Sequence, residues 1–181
     1  ILGWAREDEV EIMSMDEYIE RFDPADVSSK SVIFDMKKLD WINGMYIRKL
    51  SPSELEEKIE KFLPDDFPKE KLDAILHLVR ERLEKLSDIE DLTSFFYREI
   101  KQEERLLLKK SNKDTVVSQL ELTKEALSKI DGWNTAEIET VIRDLQESNQ
   151  WKKGQYFMMI RVTVTGRKAT PPLFETIEII D

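Results

Sequence analysis

A chain of 181 residues that is 40% apolar and 36% charged, with five Gly and six Pro, has a helical composition rather than that of a sandwich or barrel. Its formal charge of −10 and pI of about 4.8 argue against non-specific nucleic-acid binding by the whole surface, though not by a local basic face. The lack of cysteine excludes disulfides and thiolate metal sites and fits a reducing compartment, and no apolar run reaches the roughly 18–20 residues of a membrane span.

The chain opens on ILGWA, apolar and without initiator Met or cap, and closes on LFETIEIID without a C-cap Gly. Both ends are expected to be cuts in a longer protein, which would hide any targeting signal. SMDEYIERF (Ser14–Phe22) starts on a capping Ser and sets Met15, Tyr18, Ile19 and Phe22 at helical spacing. DPADVS breaks it. DMKKLDWINGMYIRKL then puts Leu39, Ile42, Tyr46 and Leu50 on one face, with Asn43-Gly44 predicting an irregular turn or helix–helix corner. SPSELEEKIEKFL has an N-cap Ser, Pro at the first helical position and Glu at the third.

After the PDDFP break, Pro68 begins a predicted helix to about Lys85, through Leu72, Ile75, Leu76, Val79 and Leu83. SDIEDLTSFFYREI reads as a capped helix with a buried Phe95-Phe96-Tyr97 cluster, and EERLLLKKSNKDTV as a polar hinge. Helices are expected over about 116–130 and, from the NTAE cap, about 134–149. Ile160–Gly166, with RVTVTG, is rich in β-branched residues. Its propensity favours a strand, yet a lone strand among helices has nothing to pair with, so local sequence leaves both states open.

The only histidine, His77, lies in a predicted helix and is expected to be a partly buried structural residue. With one His and no Cys, neither a thiol–imidazole pair nor a multi-His metal site can form. The carboxylates fall in patterns that support solvated helix faces, and there is no Gly-rich phosphate loop. The chain is therefore expected to hold no catalytic residue and no metal. Arg80 and Arg82, two positions apart, point about 200° away from each other on a helix, and ion pairing with nearby Glu is the expectation for either. From Arg143 to Lys168 there are six Lys or Arg against two acidic residues, a local +4 in a chain of −10. Trp151, Tyr156 and Phe157 are interleaved with them. Aromatics can stack on unpaired bases while cations hold phosphates, so this stretch is either an RNA surface or a core aromatic cluster with solvated lysines.

FDMKKLDWINGMYIRKL (Phe34–Leu50) resembles the F-D-x-x-K-L-x-W-x-N-G-x-Y-I-R pattern that follows the catalytic core in bacterial-type glutamyl-tRNA synthetases, a class I family. ILGW resembles the helix end before it. KKGQYFMMIRVTVTGRKATPPLFETIEII resembles that family's C-terminal K-x-G-x-x-x-x-P-x-R-x-A-x-T-G…P-x-L-F-E pattern. With LVRERLEKLSDIEDLTSFFY, the resemblance runs in order along nearly the whole chain. Met159 stands where the family usually has Pro, Thr163 where it has Ala, and Pro172 where Gly is common.

The resemblance implies an all-α fold: a helical bundle or cage in two subdomains preceded by a stem-contact segment, with Ile160–Thr165 helical. Residues 1–51 would be the stem-contact remnant, 52–112 the first anticodon-binding subdomain and 113–181 the second. The implied partner is tRNA, through its anticodon loop and stem, with no DNA or membrane, and with the protein a cytoplasmic monomer or, in an organellar parent, elsewhere. ATP and Mg would belong to the parent's missing catalytic domain, leaving this fragment inactive alone and without cofactor. Arg82 matches the arginine that checks the first anticodon base and helps tell glutamate from glutamine tRNA. Arg143 and Arg161 match two further arginines of the RNA face, and Thr170, Pro171 and Leu173 match the loop that holds the later anticodon bases. The rival expectation is a non-enzymatic helical protein–protein module with its arginines in ion pairs, and a weaker one an enzyme using carboxylates on helix faces.

Overall fold

The computed structural model describes Trp4 and residues 11–28, 33–109 and 111–180. The ILGW resemblance, Trp4 excepted, lies outside the described residues. Among the described residues all regular structure is helical, as the composition and the resemblance both led us to expect. Contacts divide the chain into two compact units: Ile1–Phe62 with Arg80–Ile89, and Leu63–Val79 with Glu90–Asp181.

In the first unit, α1 (Met15–Arg21) starts from a capping box in which the Ser14 hydroxyl accepts from the Glu17 N–H and the Glu17 carboxylate accepts from the Ser14 N–H. The DPADVS break folds as a 3-10 turn, Pro24–Asp26, capped by Asp23. The next helix, α2 (Met36–Lys49), runs unbroken through Asn43-Gly44, contrary to the expected corner. The pair serves a close approach instead. Asn43 donates to the Glu84 carbonyl at 2.5 Å, and a Cβ on Gly44 would stand 3.1 Å from the Leu83 carbonyl oxygen. Glycine here lets α2 lie against the 80–84 backbone. Next, α3 (Pro52–Ile59) begins as its sequence predicts, with a Ser51–Glu54 capping box and Pro at the first position. Ile47, Leu55, Ile59, Leu83 and Ile89, each no more than 4% exposed, form the core of this unit.

The second unit starts with a 3-10 turn, Lys69–Lys71, leading into α4 (Leu72–Val79). As an α-helix this is shorter than expected, because the chain tightens into 3-10 geometry over Arg80–Arg82. His77 is exposed on α4, opposite the buried Ile75, Leu76 and Val79, and so is not the partly buried residue expected. SDIEDLTSFFYREI gives only α5 (Ile89–Thr93) between 3-10 turns, Leu86–Asp88 and Ser94–Phe96. Its cap is set by the Lys85 N–H donating to Asp88. Phe95 and Phe96 are each 5% exposed, and Tyr97 is half-buried. The polar hinge contains α6 (Glu104–Leu107), and Leu107 and Leu108 pack on the core.

The remaining helices are α7 (Lys113–Leu127), α8 (Thr135–Ser148), α9 (Lys153–Thr165) and α10 (Leu173–Ile180). The first of these starts earlier than expected because Asn112 caps it by accepting from the Thr115 N–H at 2.8 Å. Helix α8 starts where NTAE predicts, with the Asn134 side chain accepting from the Glu137 N–H. Val116 of α7, Ile138 and Ile142 of α8, Tyr156, Met159 and Ile160 of α9, and Leu173, Phe174 and Ile177 of α10 form one core. Two polar ties hold this unit at its margins. Lys71 donates to the Ile179 carbonyl at 2.8 Å, where a cation suits the C-terminal end of α10. Arg98 grips Asp66 with two hydrogen bonds, 2.6 and 2.7 Å, and Glu90 with a third.

Candidate nucleic-acid interface

The segment that carries the basic pattern becomes α9, with its β-branched residues buried or half-buried on more than one face of the helix. Val162 and Thr165 are buried, together with Tyr156, Met159 and Ile160. The two threonines also bond back into the helix: the Thr163 hydroxyl donates to the Met159 carbonyl at 2.9 Å, and that of Thr165 to the Arg161 carbonyl at 2.6 Å. Tertiary burial thus overrides the strand propensity, and with no strand among the described residues there is no ladder to join. Met159, where the resembled pattern has Pro, keeps its backbone donor inside a continuous helix.

Tyr156 is 1% exposed, and its hydroxyl is shared with Thr123 at 2.6 Å. Burial pushes its phenol above the ordinary range, opposed by the bond from Thr123. It belongs to the core and cannot stack on a base, so of the two readings left open for the aromatic trio the core reading holds for Tyr156. Trp151 and Phe157 are half-buried and pack against the same core.

Arg143, on α8, is wedged between two rings, its guanidinium carbon 5.5 Å from the Phe157 centroid and 5.4 Å from that of Phe174. Its Nε donates to Glu139 at 2.6 Å, one turn earlier. Lys153 stands 6.0 Å above the same Phe157 ring. A line of cations and rings therefore runs from the start of α9 across α8 to the start of α10.

Helix α9 ends at Gly166, whose φ of 68° is left-handed and whose N–H donates to the Val162 carbonyl at 2.8 Å. The loop to α10 then turns back over the helix. Arg161 is half-buried and donates to the Pro171 carbonyl at 2.8 Å, to the Thr170 carbonyl at 3.3 Å and to the Thr170 hydroxyl. The structure thus brings Arg161, Thr170 and Pro171 together, with Leu173 following at the start of α10. Thr170, at 4% exposure, Pro171 and Leu173, at 6%, are all buried, while the loop's exposed residues are Lys168, Ala169 and Pro172.

Arg82 belongs to the first unit, exposed in the 3-10 turn Arg80–Arg82. Arg80 turns the other way, as the two-residue spacing requires. It donates not to a Glu but to the carbonyls of Arg48, at 2.7 Å, and Leu50, at the C-terminal end of α2. The expected ion pair is replaced there by a cation on helix-end carbonyls. Sequence reasoning overlooked Arg167, which donates to the Asp91 carbonyl and, at 3.0 Å, to the Ser94 hydroxyl, with its guanidinium 5.5 Å from the Phe95 ring. Nothing local signals these partners, which lie more than seventy positions back in the chain.

The second unit thus carries a row of cations and rings with a proline loop clamped beside it. The family described as "Anticodon binding domain" matches residues 54–181, and the chain belongs to it. The proteins it resembles along nearly its whole length are glutamate–tRNA ligases. That of Dehalococcoides mccartyi is 35% identical over 190 residues, covering 99% of this chain and 39% of the relative. That of Chloroflexus aurantiacus is 34% identical over 189 residues, covering 97% of this chain and 38% of the relative. A crystal structure of a glutamate tRNA ligase from Elizabethkingia meningosepticum superposes with a TM-score of 0.81 at 29% identity, over 100% of this chain and 36% of that one. The chain thus spans about 39% of the length of the curated relatives it matches.

Proposed function

We propose that this chain reads the anticodon of a glutamate tRNA as part of a glutamate–tRNA ligase. Residues 1–51 make the stem-contact segment, 52–112 the first anticodon-binding subdomain and 113–181 the second. Arg82 meets the first anticodon base; Arg143, Arg161, Thr170, Pro171 and Leu173 belong to the region that serves the later bases, with Arg161 holding the Thr170–Pro171 loop in place beneath them. In the longer protein, ATP-dependent activation of glutamate and its transfer to tRNA, with Mg, take place in a catalytic domain outside this chain. The chain acts as a monomer in the cytoplasm, with neither DNA nor membrane as partner. Among the described residues no helix is long and apolar enough to cross a membrane.

The observation that carries the reading is the family match over residues 54–181. The charge pattern supports RNA as the partner: residues 148–174 hold five Lys or Arg and no carboxylate, in a chain of net charge −10. Arginine suits the task because its planar fork can address a base edge and a phosphate. Of the three arginines assigned to the RNA, Arg143 pairs with Glu139, as the rival protein–protein module expects. Arg161 bonds to loop carbonyls and Arg82 is exposed.

The test is binding of the 181-residue chain to a glutamate-tRNA anticodon stem-loop across a salt series, beside the same stem-loop with its first anticodon base changed from C to G. Binding that weakens with salt, is weaker for the changed base, and loses that difference in Arg82→Ala is the expected result. No binding at low salt would overturn the RNA reading and favour the protein–protein module.

A further inference from the structure

The loop between α9 and α10 is tied down from inside at several points. At its start, Gly166 is in the left-handed region and the Arg167 N–H donates to the Thr165 hydroxyl at 3.1 Å. The Arg167 side chain then leaves the loop to bond Asp91 and Ser94 and lie over Phe95. Toward its end, Arg161 reaches across to the carbonyls of Thr170 and Pro171 and to the Thr170 hydroxyl, which in turn donates to the Pro171 carbonyl at 3.1 Å. At the exit, the Thr176 N–H and hydroxyl both donate to the Pro172 carbonyl, at 3.1 and 2.6 Å. Guanidinium-to-carbonyl bonds are charge-assisted and about twice as strong as neutral ones, and an arginine so engaged has a fixed position. Between the two arginine ties, Lys168 and Ala169 stand exposed.

We propose that Arg161 and Arg167 are positioning residues that preset this loop before RNA arrives, and that the exposed Lys168 between them is the cation that meets an RNA backbone phosphate. The proposal rests on the anticodon reading and names the division of labour inside the basic segment. Two of its arginines are half-buried and directed by hydrogen bonds onto the protein, while Lys168 is the exposed cation between them, and its compact ammonium suits a phosphate. A loop already ordered lowers the cost of ordering on binding.

Two measurements separate the parts. In the RNA-free chain, backbone 15N relaxation reports order at Arg167–Thr170 and Leu173. Arg161→Ala is expected to lower order parameters there from the rigid range, about 0.85, toward about 0.6, with the rest of α9 unchanged. Unchanged loop order in that variant would overturn the clamp. Should Arg161→Ala fail to fold, Arg161→Met, which keeps an aliphatic stem but removes every donor of the clamp, makes the same test. For Lys168→Ala, the slope of log affinity against log salt for the anticodon stem-loop should become shallower by about 0.7–0.9, equally for the C and G loops and with an unchanged melting temperature. An unchanged slope would overturn the phosphate contact. Failure of the wild-type chain to bind the stem-loop would instead overturn the anticodon reading, while the relaxation experiment would still decide the clamp.

Discussion

Gly166 is held by two independent constraints. Its φ of 68° is a conformation that costs an L side chain about 1–2 kcal/mol, and a Cβ there would stand 2.8 Å from Ile100 Cγ2. Gly166→Ala is therefore expected to destabilise the second unit by at least about 1–2 kcal/mol in urea unfolding. It should also weaken stem-loop binding, since the residue sets where Arg167 and the loop begin. Among the arginines, surroundings decide which remain available to a ligand. Arg80 and Arg161 donate to backbone carbonyls, Arg98 grips carboxylates, and Arg82 projects outward. Sequence treats all of these as equivalent positive charges, because the acceptors that occupy them come from elsewhere in the chain.

The helix starts are where local sequence and structure agree best. Ser14, Ser51 and Asn134 each accept from the third residue of the helix they open, as does Asn112, the one of these four starts that the sequence reading places too late. A capping side chain needs only partners three residues away, so it is legible in sequence. Ser51→Ala is expected to cost about 1 kcal/mol of unfolding free energy, read by urea denaturation, because it removes the acceptor for the Glu54 N–H. Helix interiors and ends were less legible. Asn43-Gly44 carries a turn signal, yet α2 runs through it, since the pair meets the backbone at Leu83 and Glu84. RVTVTG reads as strand by propensity, yet its β-branched side chains fill a helical core. In both cases the deciding contact is with a segment distant in sequence, and local propensity does not contain it.

For the whole chain, the net charge of −10 is distributed so that residues 148–174 stay free of carboxylates. The same acidic surplus governs its response to acid. The Ser51 N–H holds the Glu54 carboxyl below its ordinary range, the Arg98 guanidinium does so for Asp66, and the Lys129 ammonium for Glu125. A carboxyl whose pKa is depressed on folding contributes stability that is fully present above its unfolded value, near 4, and is lost as pH falls through its folded value. The urea midpoint is accordingly expected to hold between about pH 7 and 5 and to fall below about pH 4. Asp66→Asn should flatten that acid limb, because it deletes the carboxyl that Arg98 binds with two hydrogen bonds. All three groups are exposed, so the effect should shrink as salt screens it.

The sequence by itself determined that the fold is helical, where several helices begin, that one basic segment departs from an acidic chain, and, through two long motifs, which family the chain resembles. These follow from composition, spacing and capping, which act over a few residues. The helical state of 160–165, which propensity left open, was already implied by the resemblance. Only the tertiary structure decided that Tyr156 is core, that Arg161 turns back onto the loop, and that Arg167 leaves it for Asp91 and Ser94 while Lys168 stands exposed. Those outcomes depend on which distant carbonyls, rings and methyl groups come within reach, and that is settled when the helices pack.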